Sequence, residues 1–306
     1  HSSRTRSACF ALGAVVAFAS LAQAQDNHAE IYRNQAEFDK VSNAMQNLLI
    51  AKFGPRLAVD EKGNFIVPSS AGFTRALPSG GVIESVASGN VLVNNAAGDA
   101  TAQDTQSETA LVLGSGSKLI AAFNDSGSFI GANHFTGWAH SANGGATWTD
   151  PGLLPGANDA GDPVLARDST TGRVYLACLF FSGSGINVFR SDNDGVTWLP
   201  SVNGAPSSGS MDKEWLTVDN FAGAGNGNVY LIVRDFGAAN GVFFFRSTDQ
   251  GATFGPFGGT LIASGSPSNV QGAYVVVTPN HDVHAFWYDS NPVPAQLRTR
   301  RSSDQG

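Results

Sequence analysis

Ser191-Asp192-Asn193-Asp194-Gly195-Val196-Thr197-Trp198 decides the fold, because the chain repeats its pattern four times. The other copies are Ser141-Ala142-Asn143-Gly144-Gly145-Ala146-Thr147-Trp148, Ser247-Thr248-Asp249-Gln250-Gly251-Ala252-Thr253-Phe254 and Ser302-Ser303-Asp304-Gln305-Gly306. All fit S-x-[DN]-x-G-x-T-[WF] as far as they run, and their serines stand 50, 56 and 55 residues apart. A near-constant period of this size marks a repeat architecture. Each segment reads as a hairpin turn. The Asp or Asn side chain accepts from nearby backbone N–H groups, the glycine supplies a positive φ, and the Thr and aromatic restart a strand.

Three apolar stretches precede each box. Before the second they are 162–167, 173–181 and 186–190; before the third, 214–218, 228–233 and 242–246. With the strand after the box, each period holds four strands, the size of one propeller blade. The expected fold is therefore all-β: a β-propeller of four-stranded antiparallel blades, about four of them in this sequence. The box residues are read as scaffold: Ser141, Asn143, Gly145 and Trp148; Ser191, Asn193, Gly195 and Trp198; Ser247, Asp249, Gly251 and Phe254; Ser302, Asp304 and Gly306. A calcium loop around Asp192-Asn193-Asp194-Gly195 fails, because its first and twelfth ligand positions would be Arg190 and Ser201.

Ahead of the repeats, Arg4 and Arg6 precede an apolar run and Ala22-Gln23-Ala24, the form of a secretory signal over 1–24. A helical extension and linker is expected over 25–92, with Ile31, Phe38, Val41, Met45, Leu48 and Leu49 forming one apolar stripe before Gly54 and Pro55. The propeller follows over 93–306. The implied location is secreted or periplasmic, with no membrane attachment after cleavage. Cys9 falls inside the signal, leaving Cys178 in an apolar run as a small core residue rather than half of a disulfide. A formal charge of −7 and the lack of a Lys/Arg cluster argue against a nucleic-acid partner. The chain is expected to be a monomer without cofactor. His134, His140, His281 and His284 lack metal-ligand spacing, so no metal is expected.

The boxes resemble the Asp boxes, or BNR repeats, of the sialidase superfamily, over about residues 106–306. The segments Gln106-Ser107-Glu108-Thr109, Asn124-Asp125-Ser126, Gly161-Asp162-Pro163 and Asp212-Lys213-Glu214-Trp215 are similar to pieces of exported bacterial sialidase-like proteins. The resemblance implies boxes on turns away from the substrate face, and a six-bladed ring of which these repeats are part. It also implies three arginines that hold a substrate carboxylate as bidentate forks, a Tyr–Glu nucleophile and an Asp acid/base. This chain departs from that pattern. No Arg-Ile-Pro-like motif precedes the first box, and Arg190, Arg246 and Arg301 recur with the boxes as part of the repeat.

The remaining candidates fall in the segments between strands and are mostly acidic. Asp212, Glu214 and Asp162 are the catalytic candidates. Arg234, Glu108, Trp215 and Asp289 are the substrate-binding ones, with Trp215 placed to stack on a sugar beside a carboxylate. The competing reading is that these side chains only cap strand ends and loop N–H groups. Two functions follow from the resemblance: a sialidase-like glycoside hydrolase acting on extracellular glycans, or a non-catalytic propeller that binds glycan or protein. A structural module of a larger exported protein is a third, since a shared fold does not settle activity.

Overall fold

The computed structural model describes residues 90–98, 106–126, 134–156, 158–181, 185–207, 209–237, 239–266 and 269–306, together with 46, 49, 58–59 and 65–66. The expected signal segment lies outside the described residues, as does the expected helix apart from Gln46 and Leu49, both helical. Among the described residues no helix is long and apolar enough to cross a membrane.

After a two-residue hairpin, β1 (Ala58–Val59) with β2 (Phe65–Ile66), the chain builds four antiparallel sheets in sequence order. Sheet I is β3 (Gln106–Leu113), β4 (Leu119–Asp125) and β5 (Thr136–Ser141). Sheet II is β6 (Val164–Arg167), β7 (Val174–Leu179), β8 (Ile186–Ser191) and β9 (Leu199–Asn203). Sheet III is β10 (Met211–Val218), β11 (Val229–Asp235), β12 (Gly241–Ser247) and β13 (Gly255–Ser264). Sheet IV is β14 (Val270–Val277), β15 (Val283–Asp289) and β16 (Gln296–Ser302). The first strands touch one another in succession, β3 with β6, β6 with β10, and β10 with β14.

Four strands per repeat holds in sheets II and III. In sheet I only the single bridge His140–Thr149 stands where the fourth strand was expected. The next residues explain this. Pro151 lacks the N–H a ladder needs, and Asp150 accepts from the backbone N–H groups of Gly152 and Asn95 instead. Sheet IV has three strands among the described residues.

Strand alternation supplies the cores between sheets. In β7, Val174, Leu176 and Cys178 pack with Ile120, Ala122 and Trp138 of sheet I, while Tyr175, Ala177 and Leu179 pack with Leu216, Leu231 and Phe245 of sheet III. In β11, Val229, Leu231 and Val233 face sheet II, and Tyr230 and Ile232 face Val275, Ala285 and Trp287 of sheet IV. Middle strands buried on both faces therefore read as continuous apolar runs. In β15, Val283, Ala285 and Trp287 are buried, whereas Phe286 and Tyr288 are exposed.

The box turns have one geometry. Ser141 Oγ donates to Asn143 Oδ1 at 2.9 Å and accepts the N–H of Gly145 at 2.9 Å, while Asn143 Oδ1 accepts the N–H of Thr147 at 2.9 Å. The same bonds recur at Ser191–Asn193 and Ser247–Asp249. Ser302 bonds Asp304 and accepts from the Gly306 N–H at 2.8 Å. Asn and Asp differ only in the direction of one bond: Asn143 Nδ2 donates to Thr147 Oγ1, whereas Thr253 Oγ1 donates to Asp249 Oδ2.

The turns also join the sheets. The box glycines have positive φ, and a Cβ on Gly195 would lie 2.8 Å from Ile120 of sheet I, on Gly251 2.6 Å from Tyr175 of sheet II, and on Gly306 2.7 Å from Phe244 of sheet III. The residue before each glycine is held by the preceding sheet as well. Asp194 accepts from the Ser115 N–H at 2.8 Å, from Ser115 Oγ at 2.6 Å and from Lys118 Nζ at 2.8 Å. Gln250 O accepts from Arg173 at 3.1 Å, and Gln305 O from Arg246 at 2.8 Å.

Two expected outcomes follow. Gly251→Ala forces both an unfavourable φ and a clash with Tyr175, and urea unfolding is expected to show a loss of about 1–3 kcal/mol or more. For Asp194, burial opposes ionisation, but Lys118 and the Ser115 donors outweigh it and hold the carboxyl at about 2. A depressed carboxylate stabilises the fold above its unfolded value of about 3.9 and loses that contribution as pH falls toward its folded value. Asp194→Asn is thus expected to be less stable than the parent at neutral pH, with the difference vanishing between about pH 4 and pH 2 in unfolding titrations.

Candidate functional site

The registers place the candidate residues at the end of the sheets opposite the boxes. In sheet III, Ser247 pairs with Val229, while Arg234 and Asp235 pair with Val242 and Gly241 at the other end. Asp212 and Met211 pair with that same far end of β11. Sheets I and IV repeat the arrangement, with Asn124 and Asp289 remote from Ser141 and Ser302.

The acidic segments expected between strands are parts of strands or abut them, and those on the first strands of the sheets carry an irregularity. On β10, Asp212 pairs with Arg234 and Trp215 with Ile232, so β10 holds one extra residue. The same bulge occurs between Ser107 and Ala110 on β3 and between Gln271 and Tyr274 on β14. At its centre stand Glu108 (φ 49°), Lys213 (φ 46°) and Gly272 (φ 67°), and Asp162 (φ 55°) occupies the matching place before β6. The left-handed region is unfavourable for residues with a Cβ, by about 1–2 kcal/mol each. Bulges of this kind re-aim side chains and gather beside functional sites.

These bulges bring four sheets together. Lys213 Nζ of sheet III lies 3.9 Å from Glu108 Oε2 of sheet I. The Asp162 N–H of sheet II donates to Asn124 Oδ1 of sheet I at 2.6 Å. Gln271 of sheet IV donates to Asp212 Oδ2 of sheet III at 3.2 Å. Glu214 senses the charges of Asp162 and Asp212. Beside it, the rings of Trp215 and Tyr274, on the adjacent strands β10 and β14, stand 4.2 Å apart between centroids.

Glu214 is the unusual member. It is fully buried, and neither carboxyl oxygen has a hydrogen-bond partner on another residue. Burial first, then the charge of Asp162, pushes its carboxyl well above the ordinary range, against weaker opposing contributions from its own backbone N–H and Lys213. Its proton is therefore held more tightly than that of an exposed carboxyl. Asp162 and Asp212 are buried with it.

Arg234 is the cross-strand partner of Asp212, and Asp289 that of Val270. The Arg234 guanidinium is buried and faces its own hairpin: it donates to the Asp235 and Gly241 carbonyls and, at 2.7 Å, to Asn240 Oδ1, and it lies over the Phe236 ring. Asp289 is buried, pairs with Arg298 at 2.9 Å and accepts the N–H of Asn291 at 3.1 Å, a turn-capping arrangement. Asp235 likewise accepts from the N–H groups of Ser210 and Gly237. Sequence reading placed Lys213 and Asn124 in the candidate segments without an individual role, and gave none to Gln271 or Tyr274. The signal that finds Lys213 and Gln271 is their position in a bulge that recurs with the boxes. Nearby, buried His134 bonds Asp159, whose other oxygen accepts from the N–H groups of Phe135 and Thr136, tying sheet I to the segment before sheet II. Among the described residues no three His, Cys, Asp or Glu side chains are grouped to hold a metal ion.

No family model matches the sequence, and neither does any curated protein. Among solved structures, the chain is similar to a Hadza microbial sialidase at 15% identity and a TM-score of 0.48, over 66% of this chain and 45% of that one. It is similar to a leech intramolecular trans-sialidase at 13% identity and 0.49, over 66% and 50%. It is also similar to a GH43 endo-arabinanase from Bacillus licheniformis at 22% identity and 0.41, over 64% and 73%. The chain spans about half the length of the two sialidases. Likeness at this distance says nothing of activity, which must be read from the chain's own residues.

The Glu214 environment has a measurable consequence. The folded chain holds a proton there that the unfolded chain releases above about pH 4.3, so stability falls as pH rises from that value toward the raised folded one. Glu214→Gln removes this dependence. In urea titrations the variant is expected to match the parent near pH 4 and to gain on it as pH rises above that.

Proposed function

We propose that this chain is part of an exported, sialidase-like β-propeller that acts on extracellular glycans as a glycoside hydrolase. The four sheets are consecutive blades in this reading, and the end opposite the boxes is the glycan-facing end. Export rests on the Arg4–Ala24 segment. The observation that carries the activity is the Glu214 carboxyl, buried where the first strands converge without a hydrogen-bond partner on another residue. Its retained proton suits transfer to a departing glycosidic oxygen. Asp212 and Asp162, beside it, are the carboxylates placed to balance the positive charge that develops on the sugar ring. Trp215 and Tyr274 offer ring faces to a sugar.

One observation favours a second reading, the non-catalytic glycan binder. Glu214, Asp212 and Asp162 are all buried, whereas Glu108 and Lys213 keep 23% and 34% of their side-chain surface open to solvent. A binder needs only those exposed groups and the aromatic pair.

A panel of aryl glycosides separates the two. Hydrolysis is expected, with Glu214→Gln lowering kcat by about 10²–10⁴-fold without lowering the melting temperature at neutral pH. Glycan binding without turnover by the parent protein would make the second reading correct.

A further inference from the structure

We infer that the end opposite the boxes takes uncharged glycans and discriminates against sugars that carry a carboxylate. The inference rests on the proposed glycan-facing role of that end and adds the substrate class. Its basis is the charge inventory at the convergence of the first strands. Asp162 and Asp212 lie about the Glu214 carboxyl, and Glu108 reaches the same place through Lys213. The Glu214 carboxyl, fully buried and without a partner on another residue, marks the cluster as more than a solvated acidic face.

Each cation near that end among the described residues is already engaged. Lys213 lies against Glu108 at 3.9 Å. Arg234 is buried on the carbonyls of its own hairpin and on Asn240. Arg298 pairs with Asp289. Among the described residues a sugar carboxylate arriving here meets no available guanidinium fork. It must enter the field of Asp162 and Asp212, and like charges brought together across an interface are strongly disfavoured. An uncharged ring meets no such barrier, and the Trp215–Tyr274 rings give it a stacking surface, with Tyr274 40% exposed.

The test is calorimetric titration of the full chain with neutral hexose and pentose trisaccharides, and in parallel with trigalacturonate and a sialylated lactose. At least one neutral trisaccharide is expected to bind roughly tenfold or more tightly than either acidic one. Glu108→Gln, which releases Lys213, is expected to narrow that gap several-fold, and raising the salt concentration to narrow it in the parent. An acidic sugar bound as tightly as the neutral ones would overturn the inference and leave the glycan-facing role standing. A gap that Glu108→Gln leaves unchanged would overturn its assignment to charge. Binding of neither class would overturn the glycan-facing role itself, and this inference with it.

Discussion

The structure depends on the contact between a box glycine and the sheet before it. At Gly195, Gly251 and Gly306 the backbone comes so close to Ile120, Tyr175 and Phe244 that any side chain would collide. The hydrogen bonds from the box serine and from the Asp or Asn at its third position hold the glycine at the required φ. The turn therefore does two jobs. It closes the hairpin of its own sheet, and it fixes the spacing and angle to the previous one. Arg173, Arg246 and Lys118 reinforce the same joints from the preceding sheet.

Fixing the joints at one end has consequences at the other. With the third-to-fourth-strand turns locked, alternate residues of β7 and β11 are divided between two neighbouring sheets, and the first strands are drawn into contact. At the far end Glu108, Asp162, Lys213 and Gly272 share a left-handed backbone at or just before the first strands. The box end thus carries the joints between sheets, and the opposite end carries the left-handed backbone and the buried acids.

The box turns were legible in the sequence because everything that makes them lies within eight residues: a Ser, an Asp or Asn, a Gly, a Thr and a ring. The middle strands were legible because burial on two faces leaves a continuous apolar run, as in Val229–Val233. The bulges were not. A left-handed φ at Glu108 or Lys213 has no local code, since only glycine announces that conformation, and the acidic segments therefore read as loops. The contacts of Arg234 with Asn240 and the Gly241 carbonyl were likewise out of reach, because its sequence neighbours do not reveal that the hairpin curls back to supply them. The pairing of Trp215 with Tyr274 was out of reach for a related reason, because it depends on the packing of β10 against β14.

The central claim is that burial where these sheets meet raises the Glu214 carboxyl well above the ordinary carboxylate range. Infrared spectroscopy of the intact chain tests it most directly. At pH 7 the account expects a C=O stretch from a protonated carboxyl that disappears in the Glu214→Gln variant. A spectrum in which every carboxyl of the parent protein is ionised at that pH would contradict it.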